Sequence, residues 1–275
     1  MRLLLSRLGA GAFIAAALVR CSSFGSAADA TPEASDASDA SDAASEDSTS
    51  PVEASTADAG GDARGRCASG CPGSAGPCGV RAGAFCIDAT EVTVADYRAF
   101  AEQAKGTSID VGSPCAPVKI TALGVRPDET LPMTSVTFCE ARAFCKRAGK
   151  RLCGRIGGGP LAPGEVGAQV SEWFNACTGG TADGIHLLSD GGCQLESDAS
   201  RAAGSGCQGG VPGVFDMVGN VWEWIDQPNI PDGASPTAAF QGGGYEHPAS
   251  TNCGAGSGAG IDFRGADVGF RCCSP

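Results

Sequence analysis

The sequence contains no apolar stretch long enough to cross a membrane as a helix, and it has few basic residues. Its longest uncharged apolar run, Leu8–Val19, has twelve residues, whereas a membrane-spanning helix needs about 20. From residue 67 onward there are 14 basic and 21 acidic residues, a net charge of −7. These shortages argue against a transmembrane segment and against nucleic acid or an anionic membrane as a partner.

Histidine is scarce as well, with two residues in 275, whereas cysteine is abundant, with fifteen. A zinc site would need two closely spaced pairs of ligands, and no second matching pair follows Cys67, Cys71 and Cys78. If Cys21 is removed with a signal peptide, fourteen cysteines remain, an even number. Exported chains use cysteine at this density for cross-links, so we expect a disulfide-stabilised domain in an oxidising compartment.

Residues 1–28 have the features of a signal peptide: two arginines, then the apolar run, then small residues suited to cleavage. Cys21 occupies the position of the lipidated cysteine in a bacterial lipoprotein. Arg20, however, stands where that motif requires a small residue. We therefore expect a secreted, periplasmic or cell-surface protein, and we rank lipid anchoring at Cys21 second to simple secretion.

The segment 29–66 has an unusual composition. Its part up to Asp62 contains ten acidic residues, no lysine or arginine, and Val52 as its single large aliphatic residue. Such a segment cannot bury enough apolar surface to offset its chain entropy. It is predicted to be a disordered acidic tether.

Residues 67–275 are long enough for one domain, and the 42 glycines and 16 prolines of the chain indicate many loops. A short apolar segment at Phe85–Asp88 predicts a strand. Apolar residues at helical spacing predict a helix that ends at Ala104 after an N-cap at Thr93, a second helix that Gly149 closes, and a short third helix around 171–176. We therefore expect a loop-rich α+β fold whose C-terminal part contains short strands.

Five segments, in this order, resemble the formylglycine-generating enzyme family, also called sulfatase-modifying factor domains. They are FCIDATEVTVADYRAF (85–100), PMTSVTFCEARAFCKRAGKRL (132–152), SEWFNACTGG (171–180), GVFDMVGNVWEW (213–224), and Gly242-Gly243 with GFRC (269–272). The resemblance covers nearly the whole domain. It implies a single α+β domain related to the C-type lectin fold. Active members of that family are copper enzymes, in which two cysteine thiolates hold the metal and a substrate cysteine is oxidised to formylglycine with molecular oxygen.

The family's reactive turn corresponds to Gly242, Gly243, Gly244, Tyr245, Glu246 and His247. In the family the two thiolates follow this turn. Here His247 stands at the first thiolate position and Asn252 at the second, so the copper-binding pair is missing. A site made from His247 and Cys253 would lose the linear dithiolate, and a surface loop residue is the simpler interpretation of His247. We therefore expect copper to be absent.

The resemblance also implies two disulfides, Cys177–Cys253 and Cys145–Cys272. Both would close long loops, for which the chain-entropy model gives on the order of 4–5 kcal/mol each. Proximity alone suggests a third pair, Cys193–Cys207. Cys273 should have a partner other than its neighbour, because adjacent cysteines rarely bridge to each other.

A calcium site is a further implication of the resemblance. Its ligands would be Asp216, the main-chain carbonyls of Gly219 and Val221, and Glu223. Calcium prefers several hard oxygens, and two carboxylates would balance its charge. Two alternatives remain open: Glu223 could pair with Arg271, and Asp216 could cap a turn.

Two aromatic residues of the same segment, Trp222 and Trp224, are expected to pack in the core rather than to form a substrate platform. Other relatives with this fold are iron enzymes that need about three histidines, and His186 with His247 cannot supply them.

These observations favour a non-catalytic binding or structural module whose ligand is an unknown protein or carbohydrate. The alternative is an oxidoreductase of the cysteine-to-formylglycine class with a displaced active site. A third possibility is unrelated chemistry at Tyr245, Glu246 and His247, which line the reactive turn.

Overall fold

The structure, a computed structural model, describes residues 70–123, 128–181, 193, 197–206, 208–246 and 252–275. The expected signal peptide, the tether, His186, Cys207 and His247 lie outside these residues. The described part contains three helices, α1 (Val94–Ala104), α2 (Phe138–Arg147) and α3 (Glu172–Thr178). Its strands are β1 (Gly79–Ala82), β2 (Phe85–Asp88), β3 (Ser108–Ile109), β4 (Val118–Lys119), β5 (Arg151–Leu152), β6 (Trp222–Asn229), β7 (Thr237–Gln241), β8 (Gly256–Gly260), β9 (Val268–Phe270) and β10 (Cys272–Ser274).

The strands form two four-stranded sheets and one small hairpin. The first sheet has the order β1-β2-β10-β5 and is antiparallel throughout. The second has the order β8-β7-β6-β9, in which β9 runs parallel to β6 and the other pairs are antiparallel. Strands β3 and β4 pair only with each other. Because β9 and β10 are separated by a single residue, Arg271, the end of the chain joins the two sheets.

The helices begin where the side chains of their first turns can satisfy free amide groups. Thr93 and Thr137 cap α1 and α2, and each forms a reciprocal capping box with an acidic residue three positions later, Asp96 and Glu140. Ser171 caps α3 by accepting a hydrogen bond from the Phe174 amide. The strand at 85–88 and the N-cap at Thr93 agree with the sequence patterns.

The apolar residues form two clusters. In the first, Phe144 of α2 packs against Phe100 of α1 and Phe270 of β9, with ring centroids 5.3 and 5.4 Å apart. The second cluster surrounds the fully buried Trp173 of α3 and includes Ile225 of β6. The first cluster therefore joins helices α1 and α2 to the second sheet.

Disulfides reinforce this framework. Five join pairs of described residues: Cys71–Cys86, Cys115–Cys139, Cys145–Cys272, Cys153–Cys273 and Cys177–Cys253. The third and the fifth are the pairs that the family resemblance implies, and Cys273 bonds to Cys153 rather than to its neighbour. Cys78 and Cys193 are also disulfide-bonded, and the suggested Cys193–Cys207 pair falls outside the described residues. Five disulfides indicate an extracellular or otherwise oxidising environment.

The described helices have at most 11 residues. Accordingly, none of those in the described ranges is long and apolar enough to span a membrane.

Candidate functional site

The triple-glycine turn that follows β7 is held against the segment before β6. Gly242 has a φ of 98°, and a Cβ atom there would lie 2.7 Å from the Met217 carbonyl oxygen and 3.0 Å from the Trp173 ring. The amide of Gly242 donates to Ala255, and its carbonyl accepts from Gly219, both at 3.1 Å. Only glycine fits this position, because both the backbone angle and the close packing exclude a side chain.

Two later residues of the turn, Gly244 and Tyr245, also lie close to their neighbours. A Cβ atom on Gly244 would lie 3.0 Å from the Trp222 ring. Tyr245 is buried, and its amide donates to the Asn220 carbonyl at 3.1 Å. Burial raises the pKa of Tyr245, and the nearby carboxylates of Glu246 and Asp267 raise it further. The phenol therefore stays neutral at physiological pH.

The second of the two positions that hold thiolates in the family has another role here. Asn252, at the second thiolate position, accepts a hydrogen bond from the Gly254 amide at 2.7 Å through its side-chain oxygen, which closes a local turn. Cys253, the nearest cysteine, is buried and bonded to Cys177 of α3. His247 lies outside the described residues.

A cavity of about 650 Å³ opens beside this turn. Its lining combines the aromatic side chains of Trp222, Phe240 and Phe263 with polar groups that include those of Asn252 and Ser257. Phe263 is 43% exposed, whereas Phe240 is buried. Aromatic faces with a few polar groups are typical of ligand-binding cavities.

Glu223 of β6 forms a fully buried ion pair with Arg271. The guanidinium donates to both carboxylate oxygens at 2.7 Å, from Nε and from Nη2. Trp173 Nε1 donates to the same carboxylate at 2.8 Å. One of the two alternatives to calcium binding, pairing of Glu223 with Arg271, is therefore present in the structure.

Asp216 takes the other alternative role. It has a φ of 56°, and its carboxylate accepts a hydrogen bond from the Gly204 amide at 2.6 Å. It thereby caps the loop that contains Gly204. Burial raises the pKa of Asp216, and the negative charge of Glu223 raises it further. The hydrogen bond from the Gly204 amide and the positive charge of Arg271 act in the opposite direction.

Glu91 belongs to the same cluster, and the sequence patterns did not identify it. It is fully buried. Its Oε1 accepts a hydrogen bond from the Asn220 side chain at 2.8 Å, and its Oε2 has no hydrogen-bond partner. Burial raises its pKa well above the usual range, and the charges of Asp216 and Glu223 raise it further.

Three buried carboxylates, those of Glu91, Asp216 and Glu223, thus share one guanidinium, that of Arg271. Such a cluster needs protons or a cation to balance its charge. Across the described ranges, no group of three or more His, Cys, Asp or Glu side chains is arranged to hold a metal. A calcium ion here would therefore depend on main-chain oxygens, such as those of Gly219 and Val221, in addition to the carboxylates.

The two tryptophans around Glu223 pack mainly in the core. Trp224 is fully buried, donates from Nε1 to the Val136 carbonyl at 3.1 Å, and lies edge-on to Phe240 with ring centroids 5.2 Å apart. Trp222 is 7% exposed and is the one that reaches the cavity.

Comparison with known proteins identifies a family. A family model described as Sulfatase-modifying factor enzyme 1-like domain matches residues 40–274. A search of curated proteins found no match.

Several solved structures are similar to this chain. PvdO from Pseudomonas aeruginosa is 17% identical, with 69% of this chain and 80% of that chain covered and a TM-score of 0.46. CarF is 21% identical, with coverages of 74% and 96% and a TM-score of 0.43. Treponema denticola variable protein 1 is 17% identical, with coverages of 74% and 92% and a TM-score of 0.43.

Proposed function

The chain belongs to the family of sulfatase-modifying factor enzyme 1-like domains, and from this premise we propose that it is a non-catalytic binding module that retains the family scaffold. Membership confirms the fold class expected from the sequence. This class is a loop-rich, disulfide-stabilised α+β domain of the formylglycine-generating enzyme and C-type lectin-like type.

One observation carries the proposal: every cysteine in the described residues is disulfide-bonded. A copper centre of the family type needs two thiolates, because soft sulfur ligands select Cu(I). Asn252 occupies the second thiolate position, and Cys253 is bonded to Cys177. A displaced copper site at His247 would therefore have no thiolate from Cys253.

The cavity beside the turn is the proposed ligand site. It has the volume of a small-molecule or side-chain pocket, and Phe263 at its rim presents an exposed aromatic face. The bound group would be part of a protein or a carbohydrate. Its attachment would depend on contact with Phe263, so Phe263→Ala should weaken binding without changing the fold.

The test of the non-catalytic role uses the secreted, fully oxidised protein. It is incubated with Cu(I), oxygen and a cysteine peptide of the sulfatase type, and the peptide mass is followed, with an active family enzyme as positive control. We expect the peptide cysteine to remain unmodified. Conversion of that cysteine to formylglycine by this protein would establish the alternative, an oxidase with a displaced active site.

The excess of buried carboxylates around Arg271, those of Glu91, Asp216 and Glu223, favours a second role for the scaffold, calcium binding. Asp216 and Glu223, with the carbonyls of Gly219 and Val221, would hold the ion, and calcium would neutralise the excess carboxylate charge. Glu91 would interact with it only through its charge.

Calcium binding is tested by thermal unfolding in calcium and in a chelator. Binding to the folded state alone should add about 2.7 kcal/mol at a calcium concentration roughly one hundred times Kd. Asp216→Asn should abolish the difference, and Asp262→Asn, at an exposed position, should preserve it. Identical melting of the wild-type protein in calcium and in chelator would overturn the proposal.

A further inference from the structure

The outer edge of β8 is open. β8 is the end strand of the order β8-β7-β6-β9, and within the described ranges no strand pairs with its far side. Gly256, Ser257 and Gly258 are exposed. An open edge presents backbone amides and carbonyls that can pair with another strand.

The hydrogen-bond pattern shows which residues of β8 face outward. Just outside the strand, Gly242 donates to the Ala255 carbonyl, and Ile261 donates to the Pro236 carbonyl. In an antiparallel pair, residues bonded to the partner alternate with residues that point away from it. Ser257 and Ala259 therefore bond to β7. The outward-facing residues are Gly256, Gly258 and Gly260.

Within the residues that the structure describes, β8 carries none of the usual sequence protections of an edge strand. Natural edges carry lysine, proline, inward-pointing charges or bulges, whereas Gly256–Gly260 reads GSGAG and pairs with β7 in an unbroken register. Within the described chain, the outward amides of Gly256, Gly258 and Gly260 have no backbone partner. Among their carbonyls, only that of Gly260 accepts a backbone hydrogen bond, from the Phe263 amide at 2.9 Å. The edge is regular and uncharged, with small side chains.

We propose that this edge pairs with the same edge of a second copy of the chain. A two-fold axis at Gly258 would set Gly256 opposite the copy's Gly260, so that every outward-facing residue meets an outward-facing residue. Ser257 would lie opposite the copy's Ala259, which brings no bulk and no like charges together. The chain's own tether does not suit this edge, because the Asp residues that recur along it would bring further negative charge to a domain whose net charge is already −7.

This dimer forms one continuous eight-stranded sheet. Its axis is perpendicular to the sheet, so equivalent features of the two copies lie on the same side. For a binding module of the proposed kind, the cavities beside Trp222 would then act together on one surface. Two sites that engage one surface bind more tightly than either alone.

The experiment compares wild type with two variants of one residue, Gly256→Ala and Gly256→Pro. A Cβ atom at this position meets only the Phe240 carbonyl oxygen at 3.8 Å and the Gln241 side chain at 4.0 Å, so both variants should fold. Proline also removes the outward amide, which the edge of a sheet tolerates. Sedimentation of the mature, oxidised protein is measured from dilute to concentrated solution.

We expect the wild type and Gly256→Ala to approach twice the monomer mass at high concentration, and Gly256→Pro to remain monomeric with an unchanged melting temperature. Salt should strengthen the dimer, since it screens the repulsion between two domains of negative net charge. A wild type that is monomeric throughout, or a Gly256→Pro variant that dimerises equally, would overturn the proposal.

Hydrogen exchange gives a readout that does not depend on the proline variant folding. In the wild type, the amides of Gly256 and Gly258 should become protected as concentration rises, whereas that of Ser257, bonded to β7, should be protected throughout. Amides at Gly256 and Gly258 that exchange equally fast at all concentrations would contradict pairing through this edge.

Discussion

At the scale of single residues, Arg271 connects several elements of the domain through buried hydrogen bonds. It is fully buried, and besides Glu223 it donates to the carbonyls of Asp88 at 3.0 Å and Phe215 at 2.7 Å. Its planar donors thus join β2, β6 and the loop that precedes Asp216. A lysine could not make these contacts, because it has one nitrogen with no fixed plane.

Removing the guanidinium should be costly. Arg271→Leu leaves Glu223 buried and unpaired, and we expect it to lower the free energy of unfolding by about 3–5 kcal/mol in urea denaturation. Arg155→Leu removes an ion pair with Glu165 in which Arg155 is 44% exposed, and should cost no more than about 1 kcal/mol. Equal effects of the two substitutions would contradict this role of Arg271.

Asp88 should make stability depend on pH. Burial raises its pKa from 3.8 to about 6, against the opposing influence of Lys150 at 2.6 Å and the Cys272 amide at 2.9 Å. The folded protein therefore holds a proton that the unfolded chain releases between these values. The contribution of this group to stability is complete below a pH of about 4 and is lost as the pH rises through about 6.

The measurement is urea unfolding of wild type and Asp88→Asn at a series of pH values. Relative to the variant, the wild type should lose stability as the pH rises from about 4 to about 6. Parallel profiles of the two proteins across this window would contradict the raised pKa of Asp88.

At the scale of elements, the helices depend on local signals. The capping box of α2 joins Thr137 and Glu140, with hydrogen bonds of 2.9 and 3.1 Å. Thr137→Ala should therefore lower the free energy of unfolding by about 1 kcal/mol, and Thr137→Ser should lose much less. Chemical denaturation checks both. Equal losses from alanine and serine would show that the methyl group of Thr137, rather than its hydroxyl, stabilises the helix.

Such local signals explain why the helices and the strand β2 could be predicted from the sequence. The spacing of Val94, Tyr97 and Phe100 is sufficient to place α1, and all three are buried. The short pair β3–β4, in a stretch that showed only turn residues, was not expected. The order β8-β7-β6-β9 was not predictable either, because glycine-rich strands such as β8 carry no apolar alternation, and the parallel β6–β9 contact joins distant segments.

The candidate site, like the fold, could be predicted from the sequence only in part. The glycine turn and the Asp216–Glu223 segment could be placed by resemblance. Glu91 could not, since it precedes an ordinary helix and meets Asn220 only through the fold, 129 positions away in the sequence. The burial of Glu91 depends on residues that are distant in the sequence and come together only in the folded domain.

At the scale of the whole molecule, cross-links compensate for sparse regular structure. Cys145–Cys272 and Cys153–Cys273 attach α2 and the loop after β5 to adjacent residues of β10, with separations of 127 and 120 residues. Loops of this length give disulfides a large stabilising effect in the chain-entropy model. The cysteines of this domain therefore stabilise its fold, and the binding role proposed here requires that none remains as a thiolate for copper.

The most direct test is a thiol count on the oxidised, unreduced protein. The protein is unfolded without reductant, alkylated and digested, and each cysteine from residue 67 onward is examined by mass spectrometry. The account predicts that none of these cysteines is alkylated and that the native protein retains no tightly bound Cu(I). Two alkylated cysteines, together with a Cu(I) ion that the native protein loses on alkylation, would contradict it.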